Sequence, residues 1–218
     1  APAGAVLDPS RIRYRPLLPT AGKIICLGLN YVDHTDESPY EGSDYPVVFP
    51  RVTSSLVGHG QPLVLPRVST QLDYEGELVA VIGRRGRAIP VSRALEHVVG
   101  YALFNDASIR DYQFKTNQWT VGKNFDGTGA FGPDLVTADE LPPGASGLRL
   151  TTTVNDEVRQ DANTRDMVFD VAQAVATLSE VMTLEPGDAL VMGTPGGVGF
   201  ARKPPAWLRA GDVVRVRV

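Results

Sequence analysis

At 218 residues and 23.4 kDa the chain is long enough to bury a substantial core, and its 43% apolar and 21% charged residues are those of an ordinary globular protein. A formal net charge of −4 and a pI near 5.4 exclude a general binder of nucleic acid or anionic membrane, because either needs a basic electrostatic footprint. The 22 glycines and 17 prolines follow no period, which favours a turn-rich β protein over collagen or a linker.

Residues 1–22, rich in Pro and Ala, read as a surface segment without the charged-then-apolar pattern of a signal peptide. No window of eighteen apolar residues occurs, so no membrane span is expected and the expected location is the cytoplasm. Lys23 to Asn30 reads as a short buried strand ending in a turn; it carries Cys26, the single cysteine, as an inert core thiol. A helical turn is expected over 31–38 and a loop over 39–46. Extended runs follow at Phe49–Val57, Pro62–Leu65 and Leu72–Ile82, with a solvated hairpin turn at Arg84–Arg87. Ser92 is placed to cap a helix over Arg93–Val99, Tyr101–Asp106 reads as a strand, and Ser108–Thr116 as helical. Leu148–Val154 and Val158–Gln160 form a hairpin about Asn155-Asp156-Glu157, Asp170–Met182 has helical periodicity, and Ala189–Met192 and Val213–Val218 are strands. This count predicts an α+β, mainly β fold with mixed, rolled sheets, residues 23–218 forming one domain.

In Leu72-Asp-Tyr-Glu-Gly-Glu-Leu, Glu75 and Glu77 are two apart in an extended run, and a period of two puts both on one face. Like charges this close need protonation, hydrogen bonds or a cation, and Gly76 leaves room for another group to approach. The alternative is a solvated face. Asp106, at the polar end of its strand, supplies a third carboxylate. Three oxygen ligands suit Mg²⁺, Mn²⁺ or Ca²⁺, whereas one Cys and three scattered His make a poor zinc site.

His34 and Glu37 stand i, i+3, within reach on a helical turn, as a base and its orienter or as a satisfied surface histidine. His59 and His97 have no comparable partner. Gly193-Thr-Pro-Gly-Gly-Val-Gly lacks both the phosphate-loop lysine and the dinucleotide spacing. Its amides and the Thr194 hydroxyl suit either a small anionic ligand or a tight turn.

Five motifs in order resemble the fumarylacetoacetate hydrolase family: Gly28-Leu-Asn-Tyr-Val-Asp-His34-Thr-Asp-Glu37, Asp73-Tyr-Glu75-Gly-Glu77-Leu, Asn105-Asp106-Ala-Ser-Ile-Arg110-Asp111, Gly122-Lys123-Asn-Phe-Asp, and Gly193-Thr194-Pro-Gly-Gly-Val-Gly199. The resemblance, which covers about Lys23 to Val218, implies a rolled mixed β fold, a homodimer, and Mg²⁺ or Mn²⁺ held by Glu75, Glu77 and Asp106. It implies His34 and Glu37 as a catalytic dyad, Lys123 facing the substrate, and Arg110, Gln113 and Thr194 contacting its carboxylate or oxo groups. One departure is Phe49-Pro50-Arg51, where many members carry a lysine; a planar guanidinium replaces a point charge.

The activity so implied is metal-dependent hydrolysis of a carbon–carbon bond in an acylpyruvate-like diketo acid, with His34 deprotonating water. The rivals are an isomerase, decarboxylase or hydratase acting on 2-oxo diacids of aromatic catabolism, and a non-catalytic protein that binds metal and oxo acid.

Overall fold

A computed structural model describes Asp8, residues 11–37 and residues 44–218. In chain order the elements are β1 (Ile24–Gly28), α1 (Val32–Glu37), β2 (Val47–Pro50), β3 (Leu56–Gly58), β4 (Leu72–Asp73), β5 (Gly76–Ile82), β6 (Val98–Asp106) and β7 (Ser108–Ile109). There follow α2 (Arg110–Gln113), α3 (Thr120–Lys123), β8 (Gly129–Phe131), β9 (Val136–Thr137), β10 (Arg149–Val154), β11 (Glu157–Asn163), α4 (Val171–Val181), β12 (Ala189–Val191) and β13 (Val214–Arg217).

The fold is α+β and mainly β, as expected. Its centre is a curled mixed sheet ordered β2-β1-β12-β5-β6-β8-β3, with β9 paired to β6. The β1/β12 and β3/β8 pairs are parallel and the rest antiparallel. A three-stranded sheet, β11-β10-β13, and the small β4-β7 pair complete the strands.

The central sheet is covered on both faces, which is why β5 is a continuous apolar run after Glu77. Leu78, Ala80 and Ile82 enter one core cluster together with Val171, Ala174, Val175 and Leu178 of α4, while Val79 and Val81 enter another with Cys26, Phe49 and Phe104. Burial of Cys26 pushes its thiol well above the usual range, in keeping with an inert core cysteine. Gly76 pairs with Asn105, and a Cβ there would lie 2.0 Å from Thr152 Oγ1: the approaching group is β10 of the neighbouring sheet.

Helix α4 forms where periodicity placed it. Asp170 accepts from the Gln173 amide while the Gln173 side chain accepts from the Asp170 amide, a capping box worth about 1 kcal/mol. The β10-β11 hairpin turns through Asn155 and Asp156, both at positive φ (52° and 68°), the pairing that suits the strand twist.

Several elements differ from expectation. The run Leu72–Ile82 breaks at Tyr74-Glu75, because Asp73 Oδ1 takes the Tyr74 amide (2.8 Å) and Asn105 Oδ1 takes the Glu75 amide (3.0 Å) in place of ladder bonds. Phe49–Val57 is interrupted by a 3₁₀ turn at Thr53–Ser55, and 62–65 joins no strand. Residues 91–97 form a 3₁₀ helix that Ser92 does not cap; its N-cap is Pro90, which donates no side-chain bond. Ser108 and Ile109 pair with β4, shortening the helix expected there to Arg110–Gln113. Arg84 and Arg85 are exposed on Glu96 and Glu185, within a connection that includes the 3₁₀ helix. Leu17, Leu18 and Ala21 of the N-terminal segment pack on the core. Residue 38 of the expected helical turn and 39–43 of the expected loop lie outside the described residues.

Candidate active site

The site forms where the Cys26 face of the central sheet ends. Alternation along β5 carries Val81 and Val79 to Glu77, and along β6 carries Ala102 and Phe104 to Asp106, so both acids emerge on that face. The Asp106 amide donates to Glu75 O (2.8 Å), which brings the third acid alongside. Oxygen atoms of Glu75, Glu77 and Asp106 lie within 4.8 Å of one another, and all three residues are buried.

Cations surround the acids. Lys123 Nζ donates to Glu75 Oε2 (2.6 Å) and Asp106 Oδ2 (2.8 Å). Arg110 Nη1 lies 2.7 Å from Glu75 Oε1 and donates to Gln113 Oε1 (2.8 Å). Lys123 comes so close because Gly122 packs on α2: a Cβ there would sit 2.4 Å from Gln113 N. Arg51 faces Asp106 from behind, pairing with Asp106 Oδ1 through Nη1 and donating to Thr128 Oγ1 (2.7 Å) and Ser55 Oγ (3.2 Å). The guanidinium that departs from the family's lysine thus braces a carboxylate, and it is not among the pocket-lining residues.

Four buried carboxylates, Asp73, Glu75, Glu77 and Asp106, face three buried cations, Arg51, Arg110 and Lys123, an excess of one negative charge. Burial alone would raise the Glu75 carboxyl, but Lys123, Arg110 and His34 outweigh it and draw it down to about 2. Glu77 carries the deficit: burial, then Asp106 and Glu75, push its carboxyl well above the ordinary value, and Lys123 and the Gly193 amide (2.6 Å) oppose them only in part. Burial works against the Lys123 ammonium, yet Asp106 and Glu75 keep it more firmly protonated than usual. An all-oxygen set with excess negative charge fits a hard divalent cation.

Helix α1 carries both His34 and Glu37. Asn30 anchors its start, donating to Phe169 O (2.9 Å) and Met192 O (2.8 Å) and accepting from the Phe169 amide (2.7 Å). His34 Nδ1 lies 3.1 Å from Glu37 Oε1, and an ionised carboxylate can only accept, so Nδ1 donates and Nε2 is left as the basic nitrogen. His34 lines the same narrow pocket as Glu75, Glu77, Arg110, Lys123 and Thr194. His59, edge-on to Tyr14, and His97, on Arg84 O, lie outside it.

For the glycine run 193–199 the structure favours the turn over the free-anion alternative. Five amides in and just after it hold the chain's own carboxylates: Gly193 donates to Glu77, Gly197 and Val198 to Glu37, and Gly199 with Phe200 to Asp73. The Thr194 hydroxyl donates to Gly76 O (3.0 Å) and accepts from Gln160 Nε2 (2.8 Å). Sequence reasoning missed Gln160, which also accepts from the Gly76 amide (3.0 Å); its partners lie 34 and 84 residues away, and local spacing carries no signal of them.

Comparison with known proteins agrees with this architecture. Residues 23–218 match the sequence profile of the fumarylacetoacetate (FAA) hydrolase C-terminal family. The mitochondrial oxaloacetate tautomerase fahd2 of Xenopus laevis is 43% identical over 216 residues, covering 98% of this chain and 67% of that protein. The solved fumarylacetoacetate hydrolase of psychrophilic Exiguobacterium antarcticum superposes with a TM-score of 0.83 at 43% identity, over 92% of this chain and 72% of that one. The fumarylpyruvate hydrolase of Pseudomonas aeruginosa, solved with Mn²⁺ and pyruvate, gives 0.78 at 30% identity, over 90% and 84%. No helix among the described residues is long and apolar enough to cross a membrane.

Proposed function

From the premise that the chain belongs to the fumarylacetoacetate hydrolase family, we propose that it is a metal-dependent hydrolase cleaving a carbon–carbon bond in an acylpyruvate-like diketo acid. The observation that carries this reading is the His34–Glu37 pair: Glu37 is anchored by loop amides, and His34 lines the same pocket as Glu75 and Glu77, which share their acidic cluster with Asp106.

Glu75, Glu77 and Asp106 are assigned to hold Mg²⁺ or Mn²⁺, Ca²⁺ being a substitute of similar chemistry. Such a cation supplies Lewis-acid stabilisation of the negative charge that develops on the 2-oxo end during cleavage. His34 Nε2 takes a proton from water, whose oxygen bonds to the distal carbonyl carbon. The carbon–carbon bonding pair passes to the pyruvate unit, which takes up a proton, giving pyruvate and a carboxylic acid. Glu37 fixes the tautomer and orientation that make Nε2 the base. Lys123, held between Glu75 and Asp106, adds positive charge beside the developing anion. Arg110 and Gln113 are assigned to the substrate carboxylate, and Thr194 to an oxo group, to which its hydroxyl would donate by turning from Gly76 O. Residues 23–218 are assigned as one catalytic domain, working as a cytoplasmic homodimer.

A second reading draws on the tautomerase relative: the same dyad moves a proton within a 2-oxo diacid and no bond to water forms. A panel of acylpyruvates, oxaloacetate and unsaturated diacids, run with and without chelator and followed by mass, separates the two. Cleavage of an acylpyruvate into two acids, lost on chelation, supports the hydrolase. Untouched acylpyruvates with a mass-preserving change in oxaloacetate would replace it by the tautomerase.

A further inference from the structure

Asp73 is fully buried two residues before Glu75, and the chemistry above does not use it. Its carboxylate is saturated by four donors. Oδ1 accepts from the amides of Tyr74 (2.8 Å) and Gly199 (2.7 Å); Oδ2 accepts from the Phe200 amide (3.0 Å) and from Arg110 Nε (2.8 Å). Three backbone amides therefore fix the carboxylate before it meets the guanidinium.

A guanidinium is a rigid plane, so its orientation follows once two of its nitrogens are held. Asp73 holds Nε, while Glu75 and Gln113 hold Nη1. Phe200, whose amide helps hold Asp73, lies over the same guanidinium, 4.6 Å from ring centre to Cζ. The remaining nitrogen, Nη2, is buried with no hydrogen-bond partner among the described residues, although Arg110 belongs to the pocket wall. A buried N–H without an acceptor is costly, and in a binding pocket it marks where a ligand oxygen completes the set.

We propose that Asp73 is a positioning residue: it clamps the Nε edge of Arg110 against the 199–200 turn, so that Nη2 alone is presented to the carboxylate of the 2-oxo acid. This rests on the assignment of Arg110 to the substrate carboxylate. The contact is end-on through one nitrogen, since both edges of the fork that include Nε or Nη1 already serve the protein's own groups.

The test is calorimetric binding of pyruvate in the presence of Mg²⁺, which needs no turnover, supported by KM and kcat where an acylpyruvate is cleaved. Asp73→Asn places an amide N–H among donors and releases the guanidinium. The pyruvate Kd and the substrate KM should rise between about tenfold and a hundredfold, with kcat changed less than about threefold. In an Arg110→Gln background the Asp73→Asn effect should vanish, because the two residues act as one unit. Should Asp73→Asn fail to fold, Arg110→Lys, which keeps the charge and loses the fork, should weaken pyruvate as much as Arg110→Gln. Pyruvate binding unchanged in Asp73→Asn, an equal effect with or without Arg110, or wild-type binding in Arg110→Lys would overturn the proposal. Unchanged binding in Arg110→Gln would overturn both the proposal and the assignment of Arg110 to the carboxylate. Loss of hydrolysis alone touches neither.

Discussion

Both oxygens of the Glu37 carboxylate lie 3.0 Å from the amide nitrogen of Gly197, which ties the helix carrying His34 to a turn 160 residues further along the chain. The carboxylate is thus fixed from one side by the loop and meets His34 Nδ1 on the other. Replacing Glu37 by Gln puts an amide N–H where the imidazole needs an acceptor, which favours the tautomer whose Nε2 is protonated and no longer basic. Glu37→Gln should lower kcat by about 10²-fold to 10⁴-fold with little change in KM, the range expected for a lost general base. Steady-state kinetics at several substrate concentrations checks the split.

The excess negative charge around Glu77 predicts a response to metal. Mg²⁺ or Mn²⁺ should raise the unfolding temperature, by an amount equivalent to about 2.7 kcal/mol at a hundred times Kd, and chelation should reverse it. Glu77→Gln should abolish this shift. Without metal the same variant should be as stable as the parent or more so, because it removes a buried charge short of counter-charge. Thermal denaturation with and without cation measures both effects.

A pH profile of the metal-free protein follows from the opposed shifts of two neighbouring acids. Glu77 is raised above its ordinary value of 4.5, so the folded state holds its proton more tightly than the unfolded chain does. Its contribution is full below 4.5 and is lost as pH rises through the raised value. Glu75, lowered to about 2, contributes fully above 4.5 and loses that contribution as pH falls towards 2. Denaturant titrations across pH should therefore show stability declining as Glu77 ionises, and Glu77→Gln should flatten that decline. An unchanged slope in the variant would assign the decline to other groups.

Arg51 serves Asp106, Thr128 and Ser55 at once from a buried position. Arg51→Lys keeps one charge for Asp106 but cannot span the other partners, and should cost about 1–3 kcal/mol. Arg51→Met removes the charge from a buried pair and should cost about 3–5 kcal/mol. Equilibrium unfolding of the two variants distinguishes the lost fork from the lost charge.

What was legible in the sequence was local. The i, i+3 spacing placed Glu37 against His34, and helical periodicity marked Asp170–Met182, where α4 forms; a period of two grouped Glu75 with Glu77, which do lie together although the strand breaks at Tyr74-Glu75. What was not legible depends on partners far along the chain. Asp73 carries no role in the sequence reading, and in the structure it accepts from Arg110 and from amides 126 and 127 residues away. The glycine run suited either an anion or a tight turn, and which of the two holds depends on Glu77, Glu37 and Asp73, each brought by folding to amides of the run. Residues 93–99 carried a helical signal, but the chain forms a 3₁₀ helix over Val91–His97, entered from Pro90 without a side-chain cap and closed at once by β6.

Turnover of an acylpyruvate in ¹⁸O-labelled water tests the central claim most directly. If His34 activates water for attack on the distal carbonyl, the released carboxylic acid carries one ¹⁸O atom by mass spectrometry, and neither His34→Ala nor chelated protein produces it. Release of unlabelled acid, or labelled acid formed equally fast by His34→Ala, would contradict the account.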